Sequence, residues 1–300
     1  MRNGIVFAAV FVFFCMSATV EAASLLGVSW DGTVSRIDES NGTGETVGDS
    51  GFEGVNALAR SAFGQFFATS RGLSDQSTNL FTINPLNGAG TQVVVLDFGA
   101  GIDSSVRGLT FSSSDALYAI NNGGGRSSTI GLDDLYALDI ATGQATLVGN
   151  TGLQGIQALT TGPNGKLYGW DVGTTALDGR GLILLDPSTG VAADISDAIG
   201  ETDGVDIQTL AFNSTGKLYG GQNALYEIDP SNGATTLIGS GGYADVRGFE
   251  FLLAEDAQPP ISGNDIDPHR NTVPEPVTGI LVGMGFLALL PSRRRSVGLS

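Results

Sequence analysis

The sequence is poor in the side chains from which most metal and redox sites are built. Among its 300 residues there is one cysteine, Cys15, and one histidine, His269. A single cysteine excludes an intramolecular disulfide and any thiolate cluster. A single histidine excludes paired-histidine metal motifs and argues against a serine–histidine–aspartate triad. Chemistry that depends on clustered thiols or imidazoles is therefore excluded.

Positive charge is also scarce. The chain has 14 Lys and Arg residues against 31 Asp and Glu residues, a net charge of −17. Nucleic-acid binding needs clustered basic residues, so this class of partner is excluded. An anionic membrane surface or polymer is likewise a poor general partner. The 41% hydrophobic content is sufficient for a packed core, which argues against a disordered chain.

The N-terminal segment has the pattern of an export signal. A basic residue in Met1-Arg2-Asn3 precedes an apolar run over residues 4–18, and Val20-Glu21-Ala22 offers small residues at the cleavage spacing. This pattern predicts a signal peptide over residues 1–22, with a buried helix of the fold as the alternative. Cleavage would leave a mature chain without cysteine, which suits an oxidising compartment.

The C-terminal segment has a second three-part pattern. A Pro-Glu-Pro motif precedes an apolar run over residues 277–290 and an arginine triplet, and the motif residues are Pro274, Glu275, Pro276, Arg293, Arg294 and Arg295. Fourteen apolar residues are fewer than the roughly 20 that a full membrane span needs, and the basic end fits the positive-inside rule. Over residues 273–297 the chain resembles the PEP-CTERM sorting tail, with a plain membrane anchor as the alternative.

The resemblance implies a route for the protein. An exosortase would be the processing partner, and the short transmembrane segment would give a transient association with the inner membrane. The protein would then be released to the cell surface or the extracellular space. Proteins of this group are commonly linked to extracellular polysaccharide, so polysaccharide is a candidate partner.

The segment between these ends is built from a repeated phrase of a short β-rich run, Asp or Asn, a turn and Gly. The closing glycines are Gly42, Gly88, Gly143, Gly190 and Gly233, at spacings of 46, 55, 47 and 43 residues. Asp or Asn at the first turn position bonds the backbone ahead, and Gly takes the left-handed position that closes a hairpin. These Asp and Asn residues lie on five separate turns, so a structural role is favoured over metal binding.

Each phrase is flanked by three further short β-rich runs, which makes four strands per period. This is the pattern of a β-propeller blade. The sequence therefore predicts an all-β, five-bladed propeller of four-stranded blades over residues 24–254. Its last strand, near residues 246–253, would complete the blade that residues 25–48 begin. Residues 255–272 are predicted to be a flexible linker. The repeat resembles secreted bacterial propellers that carry this sorting tail and, more distantly, quinoprotein-like propellers.

The loops preceding the first strand of each blade are expected to share one face with the loops between the second and third strands. A polar residue begins every first strand; these residues are Asn56, Arg107, Gln157, Gln208 and Arg247. By equivalence they would form a ring at one mouth of the central channel and hydrogen-bond a polar or anionic ligand. A water-filled channel lining is the alternative.

Acidic residues occupy the preceding loops on the same predicted face: Glu53, Asp103, Asp203, Asp206 and Asp245. Converging carboxylates could hold Ca²⁺, which prefers oxygen ligands, although no calcium-loop spacing appears. A solvated acidic rim is the alternative. No other cofactor is expected.

Two functional hypotheses follow from different classes. The first is a non-enzymatic cell-surface or matrix protein, associated with polysaccharide. The second is a secreted glycoside hydrolase, which needs two carboxylates at a defined separation. Asp171 and Glu250 are the acids on apolar strands near the channel. Trp170 could stack on a sugar or serve as a core aromatic. A purely structural spacer is a third reading and would bind no ligand.

Overall fold

The computed structural model describes residues 24–72, 77–100, 102, 105–122, 132–173, 181–195, 205–253 and 256. These residues form five antiparallel sheets of four strands each. No α-helix forms among them, and none of the described segments is a helix long and apolar enough to cross a membrane. The predicted signal peptide, most of the linker and the sorting tail lie outside the described residues.

The strands follow one another in blade order. The first blade begins with β1 (Ser24–Ser29), β2 (Thr33–Asp38) and β3 (Gly44–Asp49). The second comprises β4 (Val55–Arg60), β5 (Phe66–Arg71), β6 (Thr78–Ile83) and β7 (Gly90–Leu96). The third comprises β8 (Val106–Phe111), β9 (Leu117–Asn121), β10 (Asp134–Leu138) and β11 (Ala145–Asn150).

The fourth blade comprises β12 (Ile156–Thr161), β13 (Leu167–Asp171), β14 (Gly181–Leu185) and β15 (Ala192–Asp194). The fifth comprises β16 (Thr209–Phe212), β17 (Leu218–Gly221), β18 (Leu225–Ile228) and β19 (Thr235–Gly239). The final strand, β20 (Val246–Phe251), pairs with β1 and completes the first blade. The predicted five-bladed fold and its closing arrangement are confirmed.

The first strands of the blades, β20, β4, β8, β12 and β16, form an inner ring in which each contacts the next. Burial falls from this ring outward. β4 and β12 are almost entirely buried, whereas the outermost strands β3, β11 and β19 are largely exposed. Apolar clusters lie between adjacent blades; one of them joins Phe67 and Leu80 of the second blade to Leu109 and Leu117 of the third.

The repeated turn phrase forms as predicted. At every phrase the side chain of the Asp or Asn accepts a hydrogen bond from the backbone N–H two residues ahead, at 2.7–2.9 Å. The closing glycines all have φ between 69° and 77°, the left-handed region that only glycine enters without strain. The hydrogen bonds at Asp38, Asp139, Asp186 and Asp229 lower the pKa of these carboxyls, as a structural role requires.

Candidate functional site

The polar residues at the starts of the inner strands share a backbone irregularity. In four blades the pairing of the inner strand with its neighbour skips one residue, a β-bulge that leaves that residue outside the ladder. The skipped residues are Asn56, Arg107, Gln157 and Arg247. Gln208 takes the equivalent place in the fifth blade, immediately before β16. A bulge re-aims a side chain, so the same device presents a polar group in blade after blade at one end of the inner ring.

The fifth and first blades contribute a connected set of side chains at this end. The Arg247 guanidinium donates to Gln208 Oε1 at 3.0 Å and forms an ion pair with Asp245 Oδ1 at 2.6 Å. Gln208 in turn donates to Asp206 Oδ1 at 2.5 Å, and Gln222 donates to Asp245 Oδ1 at 2.7 Å. The structure thus links two residues predicted to bind a ligand, Gln208 and Arg247, with two predicted calcium ligands, Asp206 and Asp245. The Arg247 guanidinium connects the two halves of this set.

A partly exposed aromatic side chain lies beside this network. The Arg247 guanidinium carbon is 5.6 Å from the centre of the Trp30 ring, a cation–π contact. Trp30 follows β1 on the side of the loops between second and third strands. Sequence reasoning singled out Trp170 as the sugar-stacking candidate, but Trp170 is fully buried in the core. Trp30 is the tryptophan that reaches the site.

The second and third blades contribute a second pair. Arg107 Nη1 donates to Asn56 Oδ1 at 3.5 Å, a weak hydrogen bond at the limit of the distance range. Asn56 is buried and Arg107 is half-buried. Four members of the predicted ring therefore form two hydrogen-bonded pairs, Arg107 with Asn56 and Arg247 with Gln208. Gln157, the member from the fourth blade, belongs to neither pair.

Two buried amides at this end lack hydrogen-bond partners within the described part of the chain. Gln157 is 2% exposed, and its side-chain Nε2 has no acceptor there. Asn122 is 1% exposed, and both its amide nitrogen and its amide oxygen are unsatisfied. An unpaired buried polar group costs about 1–3 kcal/mol. This site therefore has unmet capacity to donate and accept hydrogen bonds.

A buried carboxyl that sequence reasoning missed, that of Asp133, lies between the third and fourth blades. Asp133 Oδ2 accepts hydrogen bonds from the backbone N–H groups of Gly155 and Ile156, both at 2.7 Å. The pKa of Asp133 is raised to about 7, chiefly by burial and to a smaller extent by the negative charge of Asp171. The two backbone bonds and the nearby Arg107 oppose this shift. Asp133 precedes β10 at the end of a long loop, with no strand pattern to mark it.

Asp171, one of the two acids that the sequence placed near the channel, is 2% exposed at the end of β13. Its Oδ1 accepts a hydrogen bond from the Gly173 backbone N–H at 2.7 Å. Asp133 and Asp171 are therefore two buried carboxyls, near enough for the charge of Asp171 and that of Arg107 to act on the pKa of Asp133. We call these residues, together with the bulge residues, Asn122 and Trp30, the bulge site.

The predicted calcium ligands that the structure describes do not converge on one point. Glu53 is exposed, Asp206 is bound to Gln208, and Asp245 is bound to Arg247 and Gln222. Asp103 and Asp203 lie outside the described residues. Among residues that the structure describes, no group of three or more acidic or metal-ligating side chains forms a metal site. The calcium site stays a prediction.

Comparison with known proteins finds structural matches but no sequence family. No protein-family model and no curated protein sequence matches the chain. A gluconolactonase from Xanthomonas campestris is 13% identical with a TM-score of 0.46, over 75% of this chain and 78% of that one. TolB from Acinetobacter baumannii is 14% identical with a TM-score of 0.42, over 73% and 51%.

A third match is the PQQ-bound aldose sugar dehydrogenase from Streptomyces coelicolor. It is 16% identical with a TM-score of 0.44, over 81% of this chain and 88% of that one. The class of protein is defined by the sheets themselves: the chain is a five-bladed β-propeller whose first and last strands share a blade.

Proposed function

We propose that this protein is an exported propeller of the cell surface or extracellular matrix that binds a hydroxyl-rich saccharide at the bulge site without transforming it. The observation that carries the proposal is the unsatisfied amide chemistry of Gln157 and Asn122. Saccharide hydroxyls both donate and accept hydrogen bonds, so they could satisfy the Gln157 donor and both ends of the Asn122 amide.

The remaining residues of the bulge site support the same ligand class. Arg107 and Arg247 add donors, Trp30 adds an apolar ring face beside Arg247, and Asp245, the ion-pair partner of Arg247, adds an acceptor next to the site. Pockets of this kind combine a few placed polar groups with an aromatic surface. The overall charge of −17 disfavours a polyanionic polymer, so a neutral or weakly charged saccharide is preferred.

Co-sedimentation tests this proposal. The purified protein is mixed with insoluble polysaccharide recovered from cultures of the producing organism, with dextran as a second saccharide, in calcium or in EDTA. We expect retention on the polysaccharide. Gln157→Ala and Arg247→Ala should each weaken retention by about tenfold, because each deletes a buried or half-buried hydrogen-bond donor.

Lys217→Ala is the matched control for charge. It removes one exposed cation, which is paired with Glu227 and lies in the turn between β16 and β17, at the opposite end of β16 from Gln208. Retention unchanged in all three variants would contradict a saccharide site at the bulges. Loss of retention in EDTA alone would instead support the calcium prediction.

The export route is part of the proposal. Exosortase would recognise Pro274-Glu275-Pro276 while the apolar segment and its arginine triplet hold the chain at the inner membrane. Replacing these three residues with alanine in the producing organism should shift the protein from the medium and cell surface to the membrane fraction. Immunoblotting of the fractions measures this shift, and an unchanged distribution would contradict exosortase processing.

A second candidate function is hydrolysis of the bound saccharide. The observation that favours it is the raised pKa of Asp133 beside Asp171, since a protonated and an ionised carboxyl are the pair a glycosidase uses. Release of reducing ends from the polysaccharide, abolished in Asp133→Asn while retention persists, would support this activity. Retention without any release of reducing ends would leave binding as the function.

A further inference from the structure

A cavity lies at the end of the inner ring opposite the bulge site. Its volume is about 340 Å³, within the range of small-ligand pockets. Its walls come from the ends of the inner strands and the turns that follow them, including Thr161, Phe212, Asn213, Glu250 and Phe251. The bulge site is formed at the beginnings of the same strands, so the two sites lie at opposite mouths of the channel.

Glu250 breaks the repeat at this mouth. The residues at the equivalent place in the other inner strands are Ala59, Thr110, Thr160 and Ala211, all small and uncharged. The first blade alone carries an acid there. The side chain lies deep among protein atoms, although the residue keeps some surface facing the cavity. A carboxyl at a position that the repeat fills with small side chains requires a separate explanation.

The neighbouring cation does not neutralise Glu250. The Arg60 guanidinium donates from Nε and Nη2 to the two carboxylate oxygens of Asp256, both at 3.1 Å. These side chains are 16% and 5% exposed, so the ion pair is largely shielded from water. Glu250 receives a hydrogen bond from the Arg60 backbone N–H, and within the described residues it has no ion pair of its own.

The electrostatic state of Glu250 follows from this arrangement. Burial raises its pKa to about 8, while the Arg60 backbone N–H and the Arg60 charge oppose the shift. Arg60 and Asp256 are the charged groups nearby from β4 and the segment after β20. The cavity walls from β12, β16 and the turns after them are uncharged, with Thr161, Asn213 and Ser214 as their polar groups. At pH 7 the carboxyl is therefore mostly protonated.

We propose that this cavity binds a small organic cation, an ammonium or guanidinium group on an apolar body, with the Glu250 carboxylate as its counter-ion. A cation would restore the ionised carboxylate in a site where charge attraction is little screened. Phe212, Phe251, Pro163 and Leu253 would cover its apolar body, and the phenyl rings also attract cations. Arg60, the cation in the lining, is already paired with Asp256, so it offers an anion little attraction.

The proposal fixes a proton balance. The ligand enters as a cation and stays one, whereas Glu250 gives its proton to the solvent as the pair forms. Binding at pH 7 should therefore release close to one proton. As the pH is raised toward 7, the apparent affinity should increase about tenfold per pH unit, and it should level off above the pKa of Glu250. A neutral ligand in the same cavity would release no proton.

Titration calorimetry of the full chain tests this site with benzylammonium and with benzyl alcohol, its neutral counterpart. Running the titration at pH 7 in phosphate and in MOPS, neither of which carries a net positive charge, gives the number of protons released, because the two buffers differ in ionisation enthalpy. We expect millimolar or tighter binding of benzylammonium, release of about one proton, and weaker binding of benzyl alcohol. Glu250→Gln should weaken benzylammonium binding by at least about tenfold.

Glu45→Gln is the matched control, because it makes the same chemical change and removes one charge from the exposed surface of β3. It should leave the titration unchanged. The circular dichroism spectrum and melting temperature of each variant report folding. Equal binding of the alcohol and the amine, absence of proton release, or full affinity in Glu250→Gln would overturn the proposal, as would no binding of benzylammonium at millimolar concentration.

Discussion

Glycines at the outer edge of the propeller set how closely the blades approach. A methyl group added at Gly149 in β11 would overlap the Thr189 carbonyl oxygen in the turn of the next blade. Gly48 meets the Asn87 carbonyl in the same way, and Gly239 meets that of Asn41. Each of these contacts joins the fourth strand of one blade to the repeated turn of the next. The repeat therefore encodes the joint between blades as well as the turn.

Gly149→Ala should destabilise the protein strongly, because the new methyl group meets a backbone that cannot move without shifting a blade. Overpacking of this kind costs about 1–3 kcal/mol. Gly152→Ala in the following turn is the control, since its position is open although its φ of 78° carries a strain of about 1–2 kcal/mol. Urea unfolding measures both, and equal costs would show that the blades adjust freely.

Two buried acids give the stability of the protein its pH dependence. The pKa values of Asp133 and Glu250 are raised by burial to about 7 and about 8. Between their ordinary values and these raised values, the folded protein holds protons that the unfolded chain releases. The stabilisation is therefore fully present below about pH 4 and is lost as the pH rises through 7 and 8.

The free energy of unfolding should accordingly fall between pH 5 and pH 8, and Glu250→Gln should flatten the upper part of that fall. A neutral amide has no proton to lose, so the variant keeps its stability where the wild type loses it. Urea titrations at about half-unit pH steps measure the effect. Asp133→Asn should reduce the slope of the fall at all pH values below about 7, where only the folded protein keeps this proton. A wild-type profile that rises between these pH values would contradict both assignments.

At the scale of the element, the inner strand of each blade does more than fill the centre. In four blades its bulge presents a polar side chain at one mouth, and in every blade it packs against the next inner strand. The ends of β4, β12, β16 and β20 line the cavity at the other mouth. In the first blade this strand is β20, which follows all the others in the chain. Asp256, just beyond β20, bonds to Arg60 of β4 and accepts the Leu253 backbone N–H at 2.8 Å.

Asp256→Ala should loosen this end of β20, because it leaves the Arg60 guanidinium largely buried without its bidentate partner. Breaking one side of a buried ion pair costs about 3–5 kcal/mol. The double variant Arg60→Met with Asp256→Ala should recover part of the loss, since no charge is then stranded. Urea unfolding and hydrogen exchange of the β20 amides measure the effect. A double variant no more stable than the single one would assign the cost to packing.

The elements were predictable because their signals are local. Turn residues such as Asp186 and Gly190 determine the conformation of adjacent backbone, and the pattern recurs in all five blades. The candidate site was predictable only as a set of equivalent positions. That Arg247 pairs with Gln208, while Gln157 Nε2 finds no acceptor within the described part of the chain, depends on contacts between blades. Neither the bulges nor the burial of Asp133 has a signature in neighbouring residues.

At the scale of the whole molecule, the ring is closed by a pairing between distant parts of the chain. β20 and β1 form one blade, and the Leu252 backbone N–H donates to the Ser24 carbonyl at 2.8 Å. The other four blades join their first and second strands through short turns at the same face, as between Arg60 and Phe66. In the first blade no such turn joins the two strands; the end of β20 and the start of β1 lie in its place.

A circular permutant tests this equivalence. Asp256, which keeps its bonds to Arg60, is joined to Ser24 through a Gly-Ser linker, and new ends are made at Phe63, which is 84% exposed in the turn after β4. The permutant should fold with an unchanged β-type spectrum and one cooperative transition, because β4 then closes the second blade as β20 closes the first. Separate melting of the blades would show that the native ends matter to the fold.

The position of Asp256 has a mechanical consequence. A chain tethered through its C-terminal segment would transmit tension to the end of β20, where load applied at one end of an antiparallel strand breaks its ladder bonds in succession. The two hydrogen bonds between Asp256 and Arg60 would bear the load before that ladder does, and they connect the segment after β20 to the second blade. Tension would thus be shared with a neighbouring sheet before it could peel the strand that holds the ring shut.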